Sequence, residues 1–408
     1  MPLINDDGGG GGDDDDDMME LIPDLAIYTI LTRLPPSSAT RSKLVCKSWS
    51  SMVSSRSFAR DLHAARPGPS LLPPPSPSIL LFDGAARFPA AVVDERGAAR
   101  LALRRWRAEA REGYSVQNCC GALACLRSGQ GSAELLNPAT GGCLQLGGDR
   151  AQDRDTRTAA EQLPWYCLGR CGGEQQCYKV VRLDVRLPYN GRPHVTCEVC
   201  ALDRDALRRR QWRWQEVAVL DVACCPTGRG VHIGGVVYYL VDLVYSSVVS
   251  FDLSTHVFGH MDHPGTADGM VASLSELDGR LCASMVPAGV LDSCGDGGAR
   301  NMDVWVLTGD DENGGKRWTH KYTFELDGTA RHVPRPLFVT GDGMLVMKCA
   351  DGSLCHYDVW AKSGSGSSMD DGEVLVFQHK SSGRRMTGTT ADVFVESLLP
   401  LRTILKGN

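Results

Sequence analysis

The spacing of apolar residues changes once along this chain of 408 residues, from a helical period to the alternation of short strands. Within residues 20–62, four apolar residues lie at i, i+3, i+4 and i+7, as on one face of an amphipathic helix: Ile27, Ile30, Leu31 and Leu34. Pro35 and Pro36 predict the end of this helix, because the residue before a proline avoids helical backbone angles.

Two further short helices are predicted before residue 62. Ser37 and Ser38 are suited to cap the second helix, and the third is expected to begin near Arg41. Three residues give this third helix an apolar face: Val45, Trp49 and Met52. About forty residues in three short helices bury little apolar surface, and domains of that size usually need outside help to be stable. We therefore expect this unit to bind a partner.

From residue 79 onward, short β-type runs alternate with Gly, Asp and Pro. A turn glycine precedes an apolar strand in four segments: "CCGALACL" (119–126), "IGGVVYYL" (233–240), "LDGRLCASM" (277–285) and "TGDGMLVMK" (340–348). Propeller blades of roughly 40–50 residues predict about six to eight blades over residues 79–405. A β-sandwich is the alternative, but the region is long for a single sandwich.

Negative charge is concentrated at the start of the chain. Residues 1–20 contain eight acidic residues and no basic one, whereas the whole chain carries a net charge of −6, so the remainder is close to neutral. This balance argues against a domain-wide field that would attract nucleic acid or an anionic membrane. We predict that residues 1–19 are a disordered Gly/Asp tail. Residues 63–78, which are rich in proline, are predicted to be a stiff linker.

The cysteine content bears on the cellular compartment. Sixteen cysteines, with no secretory signal in the first twenty residues, predict free thiols in a reducing compartment, the nucleus and/or the cytoplasm. The most apolar stretch, residues 234–253, carries Asp242 near its middle and many β-branched residues. It therefore predicts two strands and a turn, and no membrane partner is expected.

Residues 33–60 contain six basic residues and no acidic one. A DNA-reading helix-turn-helix could use such charges, with Lys43 and Lys47 one turn apart on a basic helix over residues 41–56. However, the segment offers serines where that motif places base-reading side chains, and a solvated basic face would leave its apolar residues unexplained. Contact with a protein is the preferred interpretation.

Residues 22–49, "IPDLAIYTILTRLPPSSATRSKLVCKSW", resemble the plant form of the F-box, the module that docks substrate receptors on the Skp-type adaptor of cullin-based ubiquitin ligases. The two proline landmarks and the Val-Cys-Lys-x-Trp ending lie at the family spacing. The resemblance implies that eleven residues bind the adaptor: Ile22, Pro23, Ile27, Ile30, Leu31, Leu34, Pro35, Leu44, Val45, Cys46 and Trp49.

Three residues depart from the F-box pattern. Leu25 replaces the usual Asp, and Ala26 and Ala39 each replace a usual Leu. A change from Leu to Ala removes side-chain volume, so these two positions are expected to weaken docking or local stability.

Residues 79–405 resemble the plant F-box-associated domain through short motifs in the family order. After the strand at 121–126 come "LLNPATG" (135–141), "YKVVRL" (178–183), "WRWQEV" (212–217), "GVVYYL" (235–240), "VVSFDL" (248–253), "LDGRLC" (277–282), "MDVWVL" (302–307) and "VESLLPL" (395–401). The resemblance implies a β-propeller-like, non-catalytic, substrate-binding domain. The expected fold class is α+β multidomain, with a small three-helix F-box at 20–62 before a large all-β domain.

Two groups of residues have spacings that suggest a metal site. Cys197 and Cys200 follow His194, with three cysteines upstream: Cys167, Cys171 and Cys177. Apolar and polar residues alternate in this segment as in a strand, in which residues three apart face opposite sides. We therefore prefer ordinary free thiols to a zinc site. The second group, His256, His260 and His263, lies among Gly and Pro residues that predict a loop, and we reject it. No metal is expected at either place.

Residues 204–215, "RDALRRRQWRWQ", interleave arginines with Trp212 and Trp214, as in sites for single-stranded nucleic acid. The preferred interpretation is a basic hairpin loop leading into a strand whose two tryptophans face the same side. Loops on a rigid scaffold commonly carry binding. Three loops are candidates for target contact because they are long, polar or rich in glycine: 204–210, 264–269 and 309–316.

The sequence contains no motif typical of an enzyme or a cofactor site, so neither catalysis nor a cofactor is expected. It predicts the substrate-recognition subunit of a Skp/cullin/F-box ubiquitin ligase, with an unidentified target protein. The alternative is a nucleic-acid-associated regulator that uses the basic helix 41–56 and the segment 204–215.

Overall fold

A computed structural model provides the structure of the protein. It describes residues 24–65, 78–83, 90–93, 99–102, 114–147, 164–172, 177–186, 194–209, 211–220, 226, 229–241, 247–264, 269–287, 300–309, 316–326, 333–341, 343–349, 354–359, 376–377, 379–382 and 389–406. The predicted tail 1–19 and most of the predicted linker lie outside these residues. The chain divides into two compact units, residues 1–69 and 70–408.

The described part of the first unit contains four helices: α1 (Asp24–Thr32), α2 (Pro36–Ser42), α3 (Lys47–Ser54) and α4 (Arg56–Ala64). The predicted capping by Ser37 and Ser38 is wrong, because Pro35 precedes α2 and no side chain caps it. The prediction that the next helix begins near Arg41 is also wrong. Cys46 has an extended backbone, and its Sγ accepts a hydrogen bond from the Trp49 N–H at 3.5 Å, so that α3 begins at Lys47.

The fourth helix was not predicted, and a single serine creates it. Ser55 is extended, which ends α3, and its Oγ accepts a hydrogen bond from the Phe58 N–H at 3.1 Å, which begins α4. The helical part therefore continues to Ala64, two residues into the predicted linker 63–78. Phe58 is fully buried and meets Tyr28 edge to face at 5.5 Å, so α4 supplies much of the small core.

The second unit contains six antiparallel blades. Blade one has β1 (Ser78–Asp83), β2 (Ala90–Val93) and β3 (Ala99–Ala102). Blade two has β4 (Ser115–Cys120), β5 (Leu123–Arg127), β6 (Ala133–Asn137) and β7 (Gly142–Leu146). Blade three has β8 (Trp165–Arg170), β9 (Tyr178–Arg186), β10 (His194–Ala201), the helix α5 (Arg204–Arg209) and β11 (Trp214–Leu220). Blade four has β12 (Val231–Ile233), β13 (Val236–Val241), β14 (Ser247–Asp252) and β15 (Phe258–Met261).

Blade five has β16 (Gly269–Leu277), β17 (Arg280–Pro287), β18 (Arg300–Thr308) and β19 (Arg317–Leu326), extended by the parallel strand β23 (Val376–Phe377). Blade six has β20 (Arg335–Val339), β21 (Met344–Lys348), β22 (Leu354–Asp358) and β24 (His379–Ser382). The last strand, β25 (Thr389–Phe394), pairs with β1 and so completes blade one. The helix α6 (Leu401–Lys406) follows it.

The innermost strands close into a ring. In order around the ring they are β25, β4, β8, β12, β16 and β20, each contacts the next, and β20 contacts β25. The last strand of the domain, β25, pairs with β1 in the first blade. This pairing closes the ring of blades. The predicted propeller is confirmed, with six blades.

The predicted turn glycines are confirmed by their backbone angles. Gly121, Gly235, Gly279 and Gly343 have φ values of +59°, +90°, +75° and +81°, in the region that L side chains rarely adopt. Each lies in the turn between the first and second strands of a blade. Gly235 is also crowded, since a Cβ atom there would lie 2.8 Å from the Gly172 N atom. These glycines therefore permit the tight hairpins that begin the blades.

The apolar stretch 234–253 forms the antiparallel pair β13 and β14, as predicted. Among the described residues, no helix has the length and apolar character needed to cross a membrane.

Candidate functional site

Among the described residues of the helical unit, four large apolar side chains are exposed: Leu25, Ile30, Leu44 and Val45, with exposed fractions of 76%, 56%, 88% and 64%. Leu44 and Val45 lie in the turn between α2 and α3. Their N–H groups donate to the carbonyls of Arg41 and Ser42 at 3.0 and 3.1 Å, which holds this turn in one backbone conformation. We call these four residues the apolar surface of the F-box-like unit. Exposed apolar area of this kind is a candidate site for contact with another protein.

The structure divides the eleven predicted adaptor-binding residues into groups. Leu31 is 2% exposed and belongs to the internal core. Three residues are half-buried: Ile27, Leu34 and Trp49. Five are exposed: Ile30, Pro35, Leu44, Val45 and Cys46. Ile22 and Pro23 lie outside the described residues. Leu25 was missed as a surface residue, although an apolar residue in place of the usual Asp was a signal that could have found it.

The basic segment does not form the continuous helix over 41–56 that the nucleic-acid alternative requires. Lys43 follows the end of α2, and Lys47 is the first residue of α3, so they do not lie one turn apart on the same helix. This part of the alternative prediction is wrong, because the extended Cys46 interrupts the helix between the two lysines.

The Arg/Trp segment also differs from its prediction. Residues Arg204–Arg209 form the helix α5 and not a hairpin loop, because Leu207 is 3% exposed and anchors one side of it in the core. Trp212 and Trp214 pack against the same hydrophobic cluster, which confirms that they face one side. The Trp214 Nε1 donates to the Gly147 carbonyl at 3.1 Å. Both rings are therefore partly buried and contribute to packing.

The topology assigns the candidate target loops to two ends of the propeller. Equivalent strands of the blades run in the same direction, so the turns from first to second strand and from third to fourth strand lie at one end. We call this end the turn-glycine face, after Gly121, Gly235, Gly279 and Gly343. The connections 204–210 and 309–316 belong to it, whereas 264–269 joins blade four to blade five at the opposite face. Residues 210, 265–268 and 310–315 lie outside the described residues.

Four half-buried cations lie on the face opposite the turn-glycine face: Arg127 ends β5, Lys348 ends β21, Arg335 begins β20 and Arg229 precedes β12. Arg335 and Lys348 are cross-strand partners, and Arg335 Nη2 lies 3.5 Å from Asp392 Oδ1. Burial, and then the charges of Arg229 and Arg335, lower the pKa of Lys348 to about 7. Like charges brought this close repel one another.

Cys197 and Cys200 do not converge on a site. They lie on β10, and Cys197 packs in the core between blades three and four while Cys200 packs in the core shared with blade two. The prediction of opposite faces is confirmed. Burial raises the pKa of both thiols to about 12. Among the described residues, no group of three or more His, Cys, Asp or Glu side chains is placed to hold a metal ion.

Two details of the cysteine and histidine predictions are wrong. Cys349 and Cys355 form a disulfide, whereas free thiols were predicted throughout; the other described cysteines are free. His260 lies in the strand β15 and not in a loop, because this segment pairs with β14. His256 occupies the preceding turn with a φ of +60°.

We expect the purified chain to contain no stoichiometric metal, because the Cys197 and Cys200 thiols lie in separate cores. Elemental analysis by plasma mass spectrometry checks this prediction. Roughly one zinc ion per chain, lost on the double change Cys197→Ser and Cys200→Ser, would contradict it.

Both units match known protein families. Residues 19–61 match the F-box domain, and residues 107–344, more than half of the chain, match the F-box associated beta propeller domain. The chain belongs to the F-box associated beta propeller family. Its F-box precedes the propeller, as the resemblance in the sequence predicted, and neither matched family is an enzyme family. The structure extends the propeller on both sides of the matched segment, from β1 to β25.

A search of curated proteins found no significant match. Among solved structures, the extracellular domain of a one-component system from B. thetaiotaomicron is 10% identical with a TM-score of 0.28, covering 69% of this chain and 44% of its own. BamB from Moraxella catarrhalis is 13% identical with a TM-score of 0.26 (64% and 76%). The complex of the fission yeast SREBP-SCAP binding domains is 9% identical with a TM-score of 0.32 (78% and 88%). The chain spans less than two thirds of the length of each of the first three structures matched.

Proposed function

We propose that this chain is the substrate-recognition subunit of a Skp/cullin/F-box ubiquitin ligase. The observation that carries the proposal is the pairing of an F-box that exposes Leu25, Ile30, Leu44 and Val45 with a six-bladed F-box associated propeller. The F-box docks on the Skp-type adaptor and, through it, on a cullin scaffold. The propeller holds a target protein.

The apolar surface of the F-box supplies the docking energy. Burying one Val, Leu or Ile side chain is worth roughly 1.5–3 kcal/mol, and four such residues stand more than half exposed. Arg41 and Lys47, which flank Leu44 and Val45 in the sequence, are also exposed. These charges favour an adaptor whose own groove is apolar and edged with acids.

The mechanism is proximity. Holding the target and the catalytic partner of the ligase in one assembly converts an encounter between two free molecules into an intramolecular one, which raises the effective concentration of target lysines. The chain then needs no catalytic residue of its own, in agreement with two matched families that are not enzyme families.

The target contacts belong to the loops of the propeller. The closed ring of inner strands fixes the strand ends between which the loops run, so strand residues serve packing and loop residues are free to vary. The turn-glycine face offers the connections 204–210 and 309–316. The opposite face offers the connection 264–269.

A capture experiment in cells tests the proposal. Under proteasome inhibition, the full chain is expected to capture a Skp-type adaptor, a cullin and target proteins, identified by mass spectrometry. Removal of residues 20–65 should eliminate the adaptor and retain the targets, whereas removal of residues 70–408 should do the reverse, because each unit has its own core. Absence of the adaptor from the full-chain capture would refute the proposal. Adaptor binding by the propeller alone would also refute it.

A further inference from the structure

Cys171 and Cys177 lie opposite each other at the end of the β8–β9 hairpin. They continue the strand register one step beyond the pair Arg170 and Tyr178, and the Cys171 N–H donates to the Cys177 carbonyl at 2.9 Å. The two Sγ atoms are 3.0 Å apart, with the Cys177 thiol donating to the Cys171 sulfur. Both are free thiols. Backbone and side chains therefore hold the two sulfur atoms in direct contact.

Little movement separates this contact from a covalent bond. A disulfide has a sulfur–sulfur distance of about 2 Å, so a shift of about 1 Å closes the gap. The same chain contains a reference pair, because Cys349 and Cys355 are also six residues apart, also connect successive strands, β21 and β22, and are bonded. Cys197 and Cys200 offer the opposite case, since their side chains occupy different cores.

The surroundings give the two thiols different roles. Cys171 is 6% exposed within the core between blades three and four, whereas Cys177 packs at the edge of that core and is half-buried. Burial, and then the hydrogen bond from Cys177, raise the pKa of Cys171, while the Lys179 ammonium opposes this. Lys179 Nζ donates to the Leu253 carbonyl at 2.5 Å and lies 2.9 Å from His256 Nε2, so the cation is fixed beside the pair. A reagent from solvent reaches Cys177 first.

We propose that Cys171 and Cys177 are a site of reversible oxidation, at which a peroxide converts the two thiols into a disulfide. The Cys177 sulfur attacks one oxygen of hydrogen peroxide, which breaks the O–O bond, forms the sulfenic acid and releases water. The Cys171 sulfur then displaces the sulfenic hydroxyl, which leaves as a second water as the S–S bond forms. Two thiols and one peroxide give one disulfide and two waters, and a small-molecule thiol such as dithiothreitol reverses the change.

The disulfide would cross-link the β8–β9 hairpin on the turn-glycine face, next to the contact between blades three and four. Gly172 follows Cys171 directly and packs against the turn of blade four so closely that a Cβ on Gly235 would lie 2.8 Å from its N atom. Oxidation would therefore restrain the end of the β8–β9 hairpin at the place where blades three and four meet. This inference goes beyond the proposed ligase function and does not depend on it.

Peptide mapping of the full chain tests the proposal. Trypsin cleaves after Arg170 and Lys179, so that both thiols fall in one peptide, residues 171–179. After exposure to hydrogen peroxide, and alkylation of the remaining thiols, this peptide should be two hydrogens lighter and unalkylated. Prior treatment with dithiothreitol should return it to the doubly alkylated form.

One variant and one control peptide test whether the disulfide is specific to Cys171 and Cys177. Cys177→Ser should abolish the disulfide without unfolding the chain, because this side chain lies at the edge of the core, and circular dichroism checks the fold. The Cys197 and Cys200 peptide should stay fully reduced at the same peroxide dose. The proposal is overturned if the 171–179 peptide stays doubly alkylated, if it carries only sulfinic or sulfonic acid, or if Cys171 and Cys177 form bonds only to the exposed Cys46 and Cys143.

Discussion

A chain with Val45→Asp is expected to lose binding to the Skp-type adaptor by roughly 100-fold or more. Val45 is 64% exposed in the turn between α2 and α3, so the free chain should fold as before. In the complex, however, the new carboxylate would lie unpaired in an apolar interface, and an uncompensated buried charge costs about 3–5 kcal/mol. That cost corresponds to a change in Kd of roughly two to four orders of magnitude.

The propeller offers a matched control for this change. Val257 is 61% exposed in the turn between β14 and β15, so Val257→Asp makes the same chemical change at a similar exposure outside the F-box. Titration calorimetry with the purified adaptor should show weakened binding for Val45→Asp and unchanged binding for Val257→Asp. Equal affinities for the two variants would place the docking surface elsewhere.

The second large effect concerns a buried ion pair in blade three. Arg182 on β9 and Glu198 on β10 are direct cross-strand partners, with side chains only 8% and 7% exposed. The Arg182 guanidinium also lies 4.5 Å from the centre of the Trp214 ring. Glu198→Ala would leave a buried cation without its carboxylate. We expect it to lower the free energy of unfolding of the propeller by about 3–5 kcal/mol.

Two comparisons separate the loss of charge pairing from a general effect of mutation. Asp184→Asn alters the neighbouring pair with Arg186, whose side chain is 52% exposed and whose Nε lies 3.9 Å from Asp184 Oδ2, so it should cost no more than about 1 kcal/mol. The double change Arg182→Met and Glu198→Leu removes both charges and should recover much of the stability. Urea denaturation followed by circular dichroism measures all three. If Glu198→Ala cost no more than Asp184→Asn, this interpretation of the ion pair would be wrong.

The division of this chain into a helical part and a β-rich part could be predicted from the sequence because both features are local. The i, i+3, i+4 spacing around Ile30 reports a helix. Glycines such as Gly279 and Gly343 mark tight hairpins because few other residues adopt their positive φ angles. The F-box and propeller motifs are likewise short segments, so a resemblance to them is visible before any contact between distant residues is known.

The predictions that failed depend on single local events or on distant contacts. Ser55 both ends α3 and caps α4, so a break and a new helix share one residue that periodicity alone does not reveal. The helix α5 forms where Leu207 finds a place in a core built by blades two and three. The blade number depends on β25 returning to β1, a pairing of segments about three hundred residues apart.

Motif spacing in the sequence assigns residues to the F-box, whereas the exposure of each of them depends on tertiary packing. Ile30 and Leu31 are neighbours of the same chemical type, yet α1 exposes 56% of the first and buries all but 2% of the second. The same holds for the cysteines: Cys171 and Cys177 meet because a hairpin brings them together, whereas Cys197 and Cys200, closer in sequence, face opposite sides of a strand. Composition and spacing fix what a side chain can do. Which partner it reaches is decided by the packing of elements far apart in the chain.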